Sequence, residues 1–285
     1  MNYQEQIDHY ILEINQYLKS ATDSQPGIVG DAMRYSLLAG GKRIRPALLF
    51  LTCDMLNGEH RNAVPAAAAL EMIHTYSLIH DDLPCMDNDD FRRGRPSCHK
   101  QFGEATALLA GDALLTEAFS QLALIPDASV SGKLTAILSD AAGNKGMIHG
   151  QEMDLRSDKE LAQLEEINRY KTGKLIVAAV LMGAVCAGMN EEEKLAHLRT
   201  FAERTGEVFQ IVDDILDVTS STEVLGKTVG SDERNDKLTY VSLLGVELSR
   251  EYAINKTQEA CLALKPFSNS DALEWYAKQL LVRIK

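Results

Sequence analysis

Apolar residues recur along this chain with the spacing of one helix face. Ile7, Ile11, Ile14 and Leu18 fall at i, i+4, i+7 and i+11, the repeat of a 3.6-residue turn. Pro26-Gly27 interrupts the pattern, and a second helix is expected from about Ile28 to Leu38, stopping at Gly40-Gly41. Pro46 suits the first position of a third helix, which should end at Asn57-Gly58. Pro65 is expected to open an alanine-rich fourth helix that reaches about Asp82. Pro126 separates a helix over 104–124 from one beginning near Val130. Ser157-Asp158 and Gly188 to Asn190 mark further breaks, and a long segment then runs to Val218. Alternating β-branched runs bounded by hairpin dipeptides are lacking, as are fixed-period repeats and low-complexity linkers. The expectation is one all-α domain over residues 1–285, with loops at 83–97, around Pro126 and at 220–237.

Composition narrows the functional classes. With 45% hydrophobic residues, 285 residues can bury a sizeable core. Lysine and arginine number 29 against 41 acids, a net charge of −12. That argues against a nucleic-acid or anionic-membrane surface, though not against a small anionic ligand held in a locally basic pocket. Five widely spaced cysteines lack any CxxC pair, which fits a reducing cytoplasm without disulfides or structural zinc. The N-terminal stretch carries acids and amides and has no continuous apolar core, unlike a signal peptide. The longest apolar run, Leu175 to Met189, is shorter than the ~20 residues of a membrane span.

Two acidic clusters change the picture. In FQIVDDILDV, Asp213 and Asp217 lie at i and i+4 on one helix face, with Asp214 one step round and apolar residues elsewhere. In IHDDLPCMDNDDFRRGRP, Asp81 and Asp82 end the alanine-rich helix. Asp87 follows six residues after Asp81, about 240° round a helix at ~100° per residue, so a continuous helix cannot bring the two together. Pro84 disfavours helix at Leu83 and removes a donor. The chain should therefore leave the helix and return Asp87 over Asp81. Two oxygen-rich clusters on separate helices suit a hard divalent cation such as Mg²⁺, which takes few carboxylates, several waters and substrate phosphate oxygens. An EF-hand starting at Asp87 fails, because its required glycine position is Arg92.

The basic residues have the pattern of anion clamps. GGKRIRP puts Lys42, Arg43 and Arg45 beside a glycine turn at a helix start. Arg92 and Arg93 follow the first acidic cluster, YKTGK carries Lys171, Thr172 and Lys174, and Lys227 and Lys237 lie further on. Ser221 occupies the first-glycine place of what would otherwise resemble a Walker A loop, so that motif is absent. His74 stands seven residues before Asp81, two turns along the same face, pointing to the acidic end. A surface salt bridge or a satisfied core histidine accounts for any one of these alone; the set, beside two aspartate clusters, calls for a bound anion.

GGKRIRP, EMIHTYSLIHDDLPCMDNDDFRRGRP, AGDALL, YKTGKL, FQIVDDILDV and LGKTVGSD, in this order over about residues 35–245, resemble the signatures of trans-isoprenyl diphosphate synthases, most of all bacterial farnesyl diphosphate synthases. That resemblance implies an antiparallel helical bundle around a central cavity, a homodimer, and three Mg²⁺ ions bound with an allylic diphosphate. It implies a transferase in which the allylic diphosphate ionises, the isopentenyl double bond attacks the cation, and a proton is lost. Carried over by position, Asp81, Asp87 and Asp213 bind Mg²⁺, with Asp82, Asp214 and Asp217 as ligands or support. Arg92, Lys171, Thr172, Gln210, Lys227 and Lys237 hold the allylic diphosphate or flank the cation. Lys42, Arg45, His74 and Arg93 hold isopentenyl diphosphate. Cys98 and His149 depart from the expected residue types without touching either aspartate motif.

Product length is read from the helix before Asp81. Ser77 lies one turn back, roughly 6 Å deeper at 1.5 Å per residue, and Tyr76 is one further. Ser77 is too small to block a growing tail, whereas Tyr76 can form part of a floor. In the family, an aromatic here with the two-residue insertion in the first motif accompanies a C15 product. Geranyl or geranylgeranyl diphosphate synthesis uses the same chemistry. A terpene cyclase would carry a mixed metal motif in place of the second aspartate cluster, and a non-catalytic metal-binding scaffold leaves the arginine pair and the lysines unexplained.

Overall fold

The computed structural model describes residues 2–156, 161–219, 238–282 and 284. Its elements are α1 (Tyr3–Thr22), α2 (Gly27–Leu37), α3 (Ile44–Met55), α4 (His60–Asp81), the two-residue strands β1 (Phe91–Arg92) and β2 (Arg95–Pro96), α5 (Cys98–Phe102), α6 (Glu104–Ala123), α7 (Ala128–Ala142), α8 (Met147–Arg156), α9 (Leu161–Asn168), a π-helical turn (Arg169–Gly173), α10 (Lys174–Cys186), α11 (Glu192–Thr219), α12 (Tyr240–Leu244), α13 (Val246–Ala263) and α14 (Asp271–Val282). The fold is an all-α bundle. α10 is buried along nearly its whole length, from Leu175 to Ala184, and α3 and α4 are almost as enclosed. α4 packs chiefly on α6, α10 on α3, α7 and α11, and α11 on α13. A helix apolar on all sides belongs in the interior, so the mixed-sided α1 and α11 wrap this centre.

Three boundaries differ from the sequence expectation. α3 begins at Ile44, two residues before Pro46, because Gly40, Gly41 and the left-handed Arg43 (φ 47°) turn the chain directly into it. α4 begins at His60 and carries Pro65 inside the helix. The turn before it is too tight to delay the restart: Asn57 is left-handed, and a Cβ on Gly58 would meet Cys53 Sγ at 2.6 Å and the Ala187 backbone at 2.7 Å. One lost amide donor at Pro65 is outweighed by packing on a fully buried flank. Third, the 83–97 loop contains the β1–β2 pair, with Arg92 opposite Arg95 and Arg93-Gly94 at the turn.

Candidate active site

α4 delivers the first acids. It ends at Asp81 with Asp82 as its C-cap. After Pro84 the chain doubles back: Met86 N and Asn88 N donate to Leu83 O at 2.9 and 3.1 Å, and Asp87 N donates to Asp81 O at 2.8 Å. Asp87 thus lies over Asp81. Burial, with Asp87 and Asp82 adding, pushes the Asp81 carboxyl up to about 6, while Lys171 and Arg92 work in the opposite direction. Asp82 is 2% exposed and its carboxylate accepts from Arg92 Nε at 3.0 Å and from Nη2. Arg92 also reaches Asp89 at 3.3 Å. Asp90 pairs with Lys100 at 2.8 Å, and Arg95 stacks over Tyr35 at 3.8 Å.

The hairpin aims the arginine pair. Arg93 and Gly94 both have positive φ, 55° and 75°, as a two-residue turn of this hand requires. A non-glycine residue held there marks a site whose surroundings enforce it. Arg93 donates to Gly40 O, and its guanidinium lies where a Cβ on Gly41 would stand, 2.8 Å from Cζ. The glycine turn of GGKRIRP therefore makes room for an arginine from another element.

Arg45, Arg93, Arg43 and Arg92 all bear on His74. Burial first, then these four in that order, hold its imidazole well below its usual value. The charges that act most strongly on His74 are thus those of the arginines. Arg45 is 8% exposed and its buried Nε has no hydrogen-bond partner among the described residues; burial lowers its pKa, with Glu71 and Asp213 countering. Lys42 is exposed. Arg43 is corrected from anion clamp to structural ion pair: Nη1 meets Glu71 at 2.6 Å, Nη2 meets Leu37 O at 2.7 Å and Nε meets Asn15 at 2.9 Å, leaving the guanidinium fully engaged.

The second cluster approaches from α11. Asp214 and Asp217 are 3% and 1% exposed, and Asp213 is half-buried. Asp214 accepts from Gln210 Nε2 at 2.8 Å and from Tyr240 N, at the start of α12, at 2.8 Å, so it braces α11 against α12. Thr172 donates to Gln210 Oε1 at 3.2 Å. Lys171 Nζ contacts Asp154 Oδ2 at 2.5 Å while acting on Asp81. Lys171 and Thr172 sit on the π turn, a widened turn found often at functional sites. It fits because two neighbours lack side chains: Cβ atoms on Gly150 and Gly206 would stand 2.1 Å from Lys171 N and 3.2 Å from Gly173 Cα. The sequence reading missed Asp154, Gly150 and the π turn. Nothing in α8 distinguishes Asp154 from Glu152 nearby, and a π turn leaves no gap in an apolar pattern.

Tyr76 is 6% exposed, its ring edge-on to His80 at 5.7 Å; burial and then Asp81 push its hydroxyl up to about 12. His80 itself presses on Gly111, whose Cβ would meet Nε2 at 2.1 Å. Ser77 Oγ donates to His74 O at 2.9 Å. Lys227 and Lys237 lie outside the described residues. Among the described residues, no three or more His, Cys, Asp or Glu side chains form a group that could hold a metal ion by themselves. The donor set nonetheless fits a hard cation that brings waters and phosphate oxygens: all-oxygen, with Asp81, Asp87 and Asp213 half-buried and one carboxyl unfavourably close to two others.

The polyprenyl synthetase family model matches residues 26–280. The chain is 48% identical over 256 residues to a farnesyl diphosphate synthase of Micrococcus luteus, covering 88% of each chain. It is 49% identical over 266 residues to geranylgeranyl pyrophosphate synthase 7 of Arabidopsis thaliana, a chloroplastic protein, covering 90% of this chain and 76% of that one. Among solved structures, a geranyltransferase from Helicobacter pylori complexed with magnesium and isoprenyl diphosphate superposes with a TM-score of 0.83 at 35% identity, covering 97% of this chain and 96% of that one. An FPP/GFPP synthase from Zymomonas mobilis gives 0.86 at 33% identity, covering 98% and 99%.

Proposed function

The chain belongs to the polyprenyl synthetase family, and from the arrangement of its acids and bases we propose that it condenses isopentenyl diphosphate with dimethylallyl or geranyl diphosphate, giving chiefly the C15 product, farnesyl diphosphate. The observation that carries this reading is the return of Asp87 onto Asp81, with Lys171 bearing on Asp81 and a pocket of Arg45, Arg93 and His74 beside it. Asp81, Asp87 and Asp213 are the proposed holders of Mg²⁺, three ions by analogy with the family, and Asp217 and the paired Asp82 and Asp214 support them. Bound there, the cations neutralise charge on the allylic diphosphate and make it a leaving group.

Lys171 and Arg92 face the same diphosphate and stabilise the charge it gains as the C–O bond breaks, both electrons leaving with oxygen. Lys227 and Lys237 join this role. The Thr172–Gln210 pair presents its oxygens near the carbon that becomes cationic. The isopentenyl double bond supplies the electrons of the new C–C bond, and loss of a proton restores an alkene. Arg45, Arg93 and Lys42 would hold the second diphosphate. His74, its pKa far below neutral, contributes a hydrogen bond without a charge. Tyr76, in the wall of α4 below Asp81, supports the C15 assignment. The geranylgeranyl relative keeps a C20 product as the second reading. The exposed Leu108 and Leu109 of α6 support a homodimer, and the free cysteines, among them exposed Cys85, support a cytoplasmic location. One domain over 1–285 completes the proposal.

The experiment is turnover of purified protein with Mg²⁺, isopentenyl diphosphate and a C5 or C10 allylic diphosphate. Release of diphosphate and a prenyl product is expected; no release overturns the proposal, and turnover of a longer allylic diphosphate alone would make it a cyclase. Asp81→Ala and Asp213→Ala should each cost about 10³-fold or more in kcat, and a loss below about tenfold removes that residue from the metal set. Tyr76→Ala should lengthen the product beyond C15; an unchanged C15 product rules Tyr76 out as the floor.

A further inference from the structure

Thr172, Gln210, Asp214 and the backbone of Tyr240 form one chain of hydrogen bonds that joins the π turn, α11 and α12. Thr172 Oγ1 donates to Gln210 Oε1 at 3.2 Å, Gln210 Nε2 donates to Asp214 Oδ1 at 2.8 Å, and Tyr240 N donates to Asp214 Oδ2 at 2.8 Å. Gln210 and Asp214 stand one turn apart on α11, the spacing at which glutamine and aspartate side chains meet on a helix. Tyr240 N is the first amide of α12, and helix geometry leaves such an amide without an intrahelical acceptor. Asp214 therefore receives an N–H on each of its two oxygens, from different elements.

This chain fixes a direction. An amide has two unlike ends, a carbonyl oxygen that accepts and an NH₂ that donates. The shape of Gln210 does not decide which end faces the π turn, and Thr172 does not decide it either, because a hydroxyl can donate or accept. A carboxylate only accepts. Asp214 must therefore draw the NH₂ of Gln210, which leaves Oε1 facing Thr172. The polarity matters at that place. In the reaction proposed above, the Thr172–Gln210 pair flanks the carbon that becomes cationic, and a fixed dipole stabilises that charge only with its negative end turned towards it. We propose that Asp214 is a positioning residue that sets the polarity of the Gln210 amide for the allylic cation. The proposal rests on that reaction, and gives the second aspartate of the α11 cluster a role other than holding metal.

The test is inversion followed by restoration. In Asp214→Asn, Tyr240 N still takes the oxygen of the new amide, so the new NH₂ faces Gln210 and turns the Gln210 amide round. Its donor end then meets the cation. Steady-state kcat should fall about 10²-fold, while KM for both diphosphates changes less than about threefold, because the charge exists only in the transition state. Adding Gln210→Glu gives the new NH₂ an acceptor and again presents an oxygen to Thr172, at the net charge of the wild type. This double variant should recover kcat to within about tenfold of wild type. A metal-binding role for Asp214 would give no such recovery, so a double variant no faster than Asp214→Asn overturns the proposal, as does Asp214→Asn with wild-type kcat. Wild-type protein that releases no diphosphate overturns the reaction instead. One readout needs no turnover and no folded Asp214 variant: nuclear magnetic resonance of the full chain with isotope-labelled glutamine amides. The Gln210 NH₂ pair, assigned by its loss in Gln210→Met, should be shifted downfield by its carboxylate partner. A Gln210 pair at the position of a solvated glutamine overturns the orientation, whether or not the protein turns over.

Discussion

Replacing Gly150 with alanine tests whether the π turn positions Lys171. On an open helix face the change is favourable by about 0.5–1 kcal/mol, because glycine gives up more chain entropy. Here the new Cβ would stand 2.1 Å from Lys171 N, 2.6 Å from Lys171 Cα and 2.7 Å from Tyr170 C. All three are backbone atoms, so no side-chain rotation relieves the clash. The turn must withdraw from α8 by more than about 1 Å to reach ordinary contact. Lys171 Nζ contacts Asp154, on the same helix as Gly150, at 2.5 Å, so that withdrawal pulls the ammonium off its partner.

Overpacking of this kind costs about 1–3 kcal/mol, and a 1 Å misplacement of a catalytic group costs about 10²-fold in rate. Gly150→Ala should therefore lower the melting temperature by several degrees, at about 2–4 °C per kcal/mol for a large domain, and lower kcat about 100-fold. Gly132, with nothing within 4 Å of its Cβ position, is the control: Gly132→Ala should leave kcat unchanged and raise the melting temperature slightly. Calorimetry and steady-state turnover measure both. On a Lys171→Ala background the kcat effect of Gly150→Ala should shrink to a few-fold, since the two act through one group. Gly150→Ala with wild-type kcat and melting temperature would refute the argument, and an undiminished effect on the Lys171→Ala background would detach it from Lys171.

Two further predictions concern stability. Glu71→Ala leaves Arg43 buried without its partner at 2.6 Å; loss of one member of a buried pair costs about 3–5 kcal/mol, which denaturant titration reads directly, and a loss under about 1 kcal/mol would mean that water reaches Arg43. His60 Nε2 meets Asp54 at 2.8 Å and Nδ1 meets Glu13 at 3.3 Å, and the Asp54 hydrogen bond, ahead of opposing burial, raises the imidazole pKa above 6.5. A raised histidine stabilises the fold fully below its unfolded pKa and loses that contribution as pH rises through the folded value. Stability should thus fall as pH climbs above 6.5, and His60→Asn should flatten that slope; an unchanged slope would locate the titration elsewhere.

Helices were legible because burial imposes a 3.6-residue period, and the α4 break was legible because Pro84 forbids one specific hydrogen bond. The out-of-phase position of Asp87 then required the chain to return, as the Asp87 N–Asp81 O bond does. What a sequence does not carry is the partner of a charge. Arg43 and Arg45 look alike two residues apart, yet Arg43 faces Glu71 of α4 and Arg45 Nε faces no acceptor among the described residues; only the packing of α3 on α4 decides between them. The same holds for Asp154, one ordinary acid of α8 until the π turn lays Lys171 on it. Asp89, Asp90 and Arg95 meet Arg92, Lys100 and Tyr35 while staying solvated, the Asp90 side chain 59% exposed and the Asp89 side chain 38%.

These pairings bear on how such a site stays folded without a ligand. Six aspartates, at the end of α4, in the loop that returns onto it and on α11, repel one another, and a group of arginines beside them does the same. Arg92 offsets the charge of Asp82, Gln210 and Tyr240 N satisfy the Asp214 carboxylate, and Lys171 is itself held by Asp154. Among the described residues Asp81 has no comparable bond, and burial beside Asp87 raises its carboxyl to about 6. A carboxyl raised in the fold binds protons more readily than its unfolded form, so in metal-free protein it costs stability as pH increases through the window from about 4 to 6. In the same window a divalent cation competes with the proton for that oxygen pair. The unfavourable charge that the fold tolerates at Asp81 is thus what a cation relieves on binding, and substituting Asp81→Asn should stabilise the metal-free chain above pH 6 while abolishing the stabilisation that added Mg²⁺ gives the wild type.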